Sequence, residues 1–237
     1  MSSGIIISCE HGGNQVPACL SDLFKDKYQM LQSHRGWDPG ALQLAEKIAS
    51  RFHCPFVFEK ISRLVIDQNR SLTNRQVFSE ITAFLSSEQK EKIVSSIYKP
   101  YRMTINYSIN NLLKKQRRVY HFSVHSFTPV LNGVTRNADM GLLYDPRREI
   151  EKRSCLKLIR RLQNEIPGIR IRRNYPYKGT SDGLTTALRK RFNSSSYAGI
   201  EIEVNQLHSL KNTELWNIIM EKLPCCINEV IGAELPQ

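Results

Sequence analysis

Short β-branched runs alternate with longer stretches of helical periodicity along this chain. That alternation most narrows what the chain can fold into: an α/β domain around a mixed, mostly parallel sheet. The candidate strands are Gly4 to Cys9, Phe56 to Glu59, Leu64 to Asp67, Val119 to Val124, Met140 to Tyr144, Ile169 to Arg173 and Gly199 to Val204. Helices are predicted for Pro39 to Arg51, Ser87 to Gln116, Pro146 to Glu165 and Asn212 to Ile231. Pro100 is expected to kink or divide the second of these. Asp145-Pro146 reads as an N-cap followed by proline at the first helical position. No linker, repeat or low-complexity tract interrupts the pattern, so one domain is expected over residues 1–237.

Composition excludes several classes. Hydrophobic residues make up 41% and charged residues 24% of the 237 positions, an ordinary globular balance that argues against disorder, collagen-like repeats and coiled coil. The 34 Lys and Arg against 22 Asp and Glu leave a net charge of +12, which first suggests a nucleic-acid partner. The excess concentrates from Lys99 to Arg118 and from Arg147 to Arg173, both largely helical, where rows of charge ordinarily form solvated surface. A chain this long buries enough surface to fold without staples, so any metal would serve chemistry. Its six cysteines show no C-x-x-C pair or zinc-finger spacing and read as reduced, mostly buried thiols. The apolar patch at residues 4–9 is too short for a signal-peptide core, and no segment approaches the ~20 apolar residues of a membrane span. A cytoplasmic protein without membrane partners is the expectation.

Three strand ends carry chemistry-bearing residues. The run Ile5-Ile6-Ile7 leads directly into Ser8-Cys9-Glu10-His11-Gly12-Gly13-Asn14. Functional groups in open α/β sheets collect beyond strand carboxyl ends, where His11 falls, and the two glycines allow a sharp turn and close approach to a ligand. In Tyr120-His121-Phe122-Ser123-Val124-His125, residues 121, 123 and 125 share one face, with His125 at the strand end. Two strand-end histidines can meet across a sheet, and a catalytic zinc typically takes three protein ligands and water. In Gly199-Ile200-Glu201-Ile202-Glu203-Val204-Asn205, Glu203 lies at the same edge, where it would serve as general base, whereas Glu201 reads as solvent-facing on an edge strand. Asn69-Arg70 and Arg136 follow strand ends as well, and arginine's planar fork suits a carboxylate.

Together these segments resemble the N-formylglutamate amidohydrolase family, distant relatives of the zinc carboxypeptidases and of succinylglutamate desuccinylase and aspartoacylase. The matching stretches are Ser8 to Gly13, Trp37-Asp38-Pro39-Gly40-Ala41, Asp67-Gln68-Asn69-Arg70, His125-Ser126-Phe127, Arg136 to Tyr144 and Glu203-Val204-Asn205-Gln206, in family order. The resemblance implies a three-layer α/β/α, phosphorylase/hydrolase-like fold with one Zn2+ at the carboxyl edge of the sheet. It makes His11 and His125 two metal ligands and Glu203 the catalytic glutamate. Asn69 and Arg70 match the pair that surrounds the substrate carboxylate, and Arg136 is a second candidate for that clamp or for the oxyanion. The carboxypeptidase-like His-x-x-Glu is here His11-Gly12-Gly13-Asn14, so the third ligand stays open. Asp38 is preferred, against a reading as helix N-cap before Pro39. Asn14 is a poor ligand, and Glu10 would point to the opposite face if the strand continues through it. Lys178, in the turn-rich loop Asn174 to Gly183, would help hold an anionic group, although such loops are normal surface connections.

The implied function is zinc-dependent hydrolysis of the amide bond of a small anionic N-acyl amino acid such as N-formylglutamate, with Glu203 as proton carrier. The alternatives are a deacylase or carboxypeptidase-like enzyme on another small carboxylate, or a basic nucleic-acid-binding protein on a retired hydrolase fold.

Overall fold

In a computed structural model, which describes residues 3–232, the alternation resolves into eight strands and eight α-helices. In chain order these are β1 (Ser3–Cys9), α1 (Tyr28–Gln32), α2 (Ala41–Phe52), β2 (Phe56–Phe58), α3 (Ser87–Ile93), α4 (Lys99–Leu113) and β3 (Arg118–Phe127). There follow β4 (Val130–Leu131), β5 (Val134–Thr135), β6 (Met140–Leu143), α5 (Glu149–Glu165), β7 (Ile171–Arg173), α6 (Leu184–Arg191), β8 (Tyr197–Asn205), α7 (Gln206–Leu210) and α8 (Glu214–Gly232). Six strands form one sheet in the order β2-β1-β3-β8-β6-β7, and β4 and β5 form a separate antiparallel hairpin. Every pairing in the sheet is parallel except β6 with β8. The sheet is therefore mixed and mostly parallel, with helices on both faces.

The period-2 pattern sorts the two faces. Ile7, Cys9, Phe122, Val124, Ile200 and Ile202 join the core under α2, α5 and α8. On α2 the buried residues Ala41, Leu44, Ala45, Ile48 and Ala49 fall at helical spacing, so one stripe of the helix packs on β1 and β3. Ile6, Val119 and Tyr197 face the other way, against Tyr101, Ile105 and Ile109 of α4 and Leu184 and Leu188 of α6. The helices of the two basic stretches, α4 and α5, pack on opposite faces, but most Lys and Arg of those stretches lie in the segments beside the helices and not on them, contrary to the expectation of largely helical charge. On the α4/α6 side the sheet turns polar toward the carboxyl ends of its parallel strands. A buried chain of Ser8, His121 and Tyr197 runs along that side from the end of β1 back to the start of β8, with Ser8 Oγ 2.7 Å from His121 Nε2 and the Tyr197 hydroxyl 2.8 Å from His121 Nδ1.

Several expectations need correction. Leu64 to Asp67 is not a strand. Leu64, Val65 and Ile66 instead pack in a third core with Leu20, Phe24, Val77, Ile93, Val94 and Tyr98, so a continuous apolar run is here a buried connection. The stretch from 87 is divided near Pro100 as expected, by a π turn, Val94–Tyr98, just before the proline that lacks the N–H an unbroken helix would use, but its helix ends at Leu113 and not at Gln116. Asp145 does not cap α5, which begins at Glu149; its carboxylate accepts the Arg147 N–H within a turn. Likewise α2 begins at Ala41, with Gly40 and not Asp38 at the cap. Glu201 is buried on an interior strand, because β8 lies between β3 and β6. Three cysteines are buried, Cys9, Cys155 and Cys226; Cys54 is half-buried and Cys19 and Cys225 are exposed, all six as free thiols. Among the described residues no helix is long and apolar enough to cross a membrane.

Gly141 marks the tightest point beside the site. It pairs with Glu203 across β6 and β8, and a Cβ built there would lie 1.8 Å from the Tyr175 carbonyl oxygen. Backbone, not a movable side chain, fills that space. Gly141→Ala is expected to cost about 1–3 kcal/mol of stability, the range for overpacking a filled interior, measured by denaturant unfolding; an unchanged midpoint would show that the 175 segment yields freely.

Candidate active site

The parallel strands deliver their polar ends to one cavity of about 740 Å³, lined by His11, Asp38, Asp67, His125, Glu201 and Glu203 with a rim that includes Arg70, Tyr177 and Lys178. His11 follows the end of β1, His125 lies near the end of β3, and Glu203 is its register partner on β8. Asp38 is carried in by backbone, its N–H donating to the His11 carbonyl at 2.9 Å. The Gly12-Gly13 turn serves packing: the Gly12 N–H donates to the Glu59 carbonyl at 2.9 Å, and a Gly13 Cβ would lie 2.6 Å from the Lys60 carbonyl. The close approach expected toward a ligand is made to neighbouring backbone.

Two imidazoles form the centre, their rings 5.1 Å apart. His11 Nδ1 lies 3.3 Å and His125 Nδ1 2.9 Å from the same oxygen, Asp38 Oδ2. Their other nitrogens face carboxylates as well: His11 Nε2 donates to Asp67 Oδ1 at 2.8 Å, and His125 Nε2 lies 2.8 Å from Glu10 Oε2 and 2.9 Å from the Ser123 hydroxyl. Glu10 therefore does not point away. β1 ends at Cys9, and the turn lets Glu10 and His11 both converge on His125, with the Tyr101 hydroxyl donating to Glu10 Oε1 at 2.8 Å. Asn14 leaves the site, giving its amide to the Leu31 carbonyl at 3.2 Å.

The electrostatics show how crowded this is. Burial would raise the carboxyls of Glu10, Asp38 and Asp67, but their imidazole and guanidinium neighbours outweigh it and hold all three below the usual range. Burial works against a charge on His125 too, yet Asp38 and Glu10 at its two nitrogens push its pKa well up. Glu203 has no such partner. Its Oε2 is buried without a hydrogen bond, and burial, helped by Asp38 and Glu201, pushes its carboxyl up to about 8. Each ring is thus flanked by carboxylates, a pattern satisfied by imidazolium or by a cation beside the Nδ1 atoms and Asp38. His11, Asp38 and His125 offer ligand atoms all within 4.8 Å of one another and can hold a metal ion. The donor set fits: two imidazoles and a carboxylate, with the remote ring nitrogens oriented by Asp67 and Glu10.

A family model described as N-formylglutamate amidohydrolase matches residues 3–208. The chain belongs to the N-formylglutamate amidohydrolase family. Among solved structures, gene product Atu2144 from Agrobacterium tumefaciens is similar at 26% identity and a TM-score of 0.81, over 97% of this chain and 90% of that one. N-formylglutamate amidohydrolase from Ralstonia eutropha JMP134 shares the fold at 15% identity and a TM-score of 0.70, over 98% and 94%. No curated protein matches the sequence significantly.

Within this amidohydrolase-family site the arginines are distributed unevenly. Arg70 lines the cavity, donates to the Asp182 carbonyl at 3.3 Å and approaches Asp67 at 3.9 Å. Asn69 accepts the Leu184 N–H at 2.7 Å, and its Nδ2 lies 3.4 Å from His125 Nε2. Lys178 is exposed at the rim. Arg136 stands behind Tyr177, its guanidinium 5.1 Å from the ring centroid and 3.2 Å from the hydroxyl; Tyr177 lines the cavity and Arg136 does not.

Sequence reasoning missed Arg63, which donates to Asp67 at 2.7 Å and lies 3.6 Å from Asp38, tying together the acids that face His11. Its i,i+4 spacing to Asp67 was the available signal, obscured by reading the segment as a strand. Asp67→Asn and Glu10→Gln are each expected to weaken divalent-metal binding about 10–100-fold, read by chelator competition; an unchanged affinity would remove that carboxylate from ligand orientation.

Proposed function

We propose that the chain is a zinc-dependent amidohydrolase that releases the acyl group of a small N-acyl amino acid, with the family's N-formylglutamate as reference substrate. The observation that carries this reading is the orphaned carboxylate of Glu203 in the same cavity as the His11–Asp38–His125 cluster. A buried charge-bearing atom without a partner is costly, and such atoms are retained where chemistry needs them free.

His11, Asp38 and His125 would hold the ion, and an ion of this class acts as a Lewis acid toward an acyl oxygen and toward water. Glu203 takes the proton from the attacking water at Oε2 and passes it to the departing amide nitrogen. Ionised Glu203 is favoured by positive charge nearby, which opposes the upward pull of burial. Arg70 offers its fork to the substrate carboxylate while Asn69 shapes the wall beside it, and Lys178 adds a point charge at the entrance. Arg136 contributes through Tyr177, whose position it fixes from behind.

Metal analysis of the purified protein should give about one zinc per chain by this reading. Glu203→Gln should lower turnover of N-formyl amino acids by about 10²–10⁴-fold, the usual weight of a general base, while zinc content stays that of the wild type. Full activity, or loss of the metal, would sink the assignment. Lys178→Ala is expected to raise KM by less than about tenfold at low salt, because water already weakens an exposed charge, and by less still as salt is added.

A further inference from the structure

Glu201 is a buried carboxylate that hydrolysis leaves without a task. It precedes Glu203 by two residues on β8, shares its face, and lines the same cavity. The Thr185 hydroxyl donates to Oε1, and among the described residues no hydrogen-bond donor pairs Oε2. Burial pushes its carboxyl above the usual range, while the nearby charge of His125, the Thr185 hydrogen bond and the charge of Arg189 pull it back. Arg189, whose charge reaches Glu201, is engaged by Glu151 at 3.0 Å. No formal cation is therefore committed to it.

The same helix start fixes what lies next to it. Thr185 touches Glu201, and the preceding residue, Leu184, donates its N–H to Asn69. Consecutive residues of α6 therefore hold Asn69 and Glu201 on one wall, with Arg70 following Asn69 along the chain. On the hydrolase reading, an amino acid with its α-carboxylate on Arg70 and its acyl group at the His11–Asp38–His125 cluster would have its side chain left to face that wall. A second carboxylate there meets Glu201 out of bulk water, whereas a donor fills a vacant acceptor.

We propose that Glu201 is a specificity-determining residue that makes the cavity select N-acyl amino acids with a hydrogen-bond-donating side chain, such as an amide or an ammonium group, over the glutamate derivative. The inference rests on the hydrolase reading for the placement of the substrate but makes a separate claim about which side chain is accepted.

The test compares N-formylglutamine, N-formyllysine and N-formylglutamate as ligands and as substrates. Binding is measured by calorimetry on zinc-loaded Glu203→Gln protein, so that no turnover is required, and kcat/KM on the wild type. The glutamine and lysine derivatives should bind at least about tenfold more tightly than the glutamate derivative. Adding Glu201→Gln should shrink that gap by improving glutamate binding. Equal or tighter binding of N-formylglutamate, binding of none of the three, or a gap untouched by Glu201→Gln would overturn the proposal. The ranking before Glu201 is changed decides the matter even if the double variant fails to fold. Should the ranking hold while the wild type hydrolyses none of the three, the hydrolase reading falls and the assignment of Glu201 stands.

Discussion

One oxygen organises this molecule. Asp38 Oδ2 lies within hydrogen-bond reach of a nitrogen on each of two histidines, and each histidine presents its far nitrogen to another buried acid. Three carboxylates, those of Glu10, Asp38 and Asp67, are thereby concentrated around two rings, with Arg63 bridging Asp38 and Asp67 and Arg70 reaching Asp67 from farther off. Such a group is unfavourable in a low-dielectric interior unless positive charge completes it. The polar α4/α6 side of the sheet, the ion pairs of Arg63 and the backbone link from Asp38 to His11 all hold that concentration in place.

Much of this was legible from strand periodicity. The placement of His11, His125 and Glu203 at carboxyl ends follows from three short apolar runs, and the parallel pairing of β1, β3 and β8 brings those ends together. Other parts were hidden for physical reasons. Leu64, Val65 and Ile66 look like a strand because burial in a loop core demands the same residues as burial in a sheet. Glu201 looked like a surface residue because alternation alone does not say whether a strand lies at an edge. Glu10 keeps the side-chain direction of Ile6 and Ser8, and it is the turn after Cys9 that brings His11 round from the Ile7 and Cys9 side to join it, a change of direction that alternation alone does not show.

The basic excess has a divided meaning. Less than half of it lies on the helices that flank the sheet and the rest on turns, loops and strands, and exposed charge of this kind adds long-range attraction for anions. At the cavity the balance is different, because Arg63 is neutralised by acids and Arg70 and Lys178 stand nearer the entrance. Positive charge outside and acid groups at the floor give a substrate a direction of entry, carboxylate outward.

The ladder of partners across β1, β3 and β8 also fixes an order of assembly. Glu10 meets His125 only after β1 has paired with β3, and His125 meets Glu203 only after β8 has joined, at sequence separations that make both pairings slow compared with helix formation. Glu10, His125 and Glu203 are therefore brought together by the sheet itself, whereas Asp38 and Asp67 meet around His11 and Arg63 within the first part of the chain. A chain organised in this way can collapse and form its hydrophobic layers while its centre is still open to water and ions.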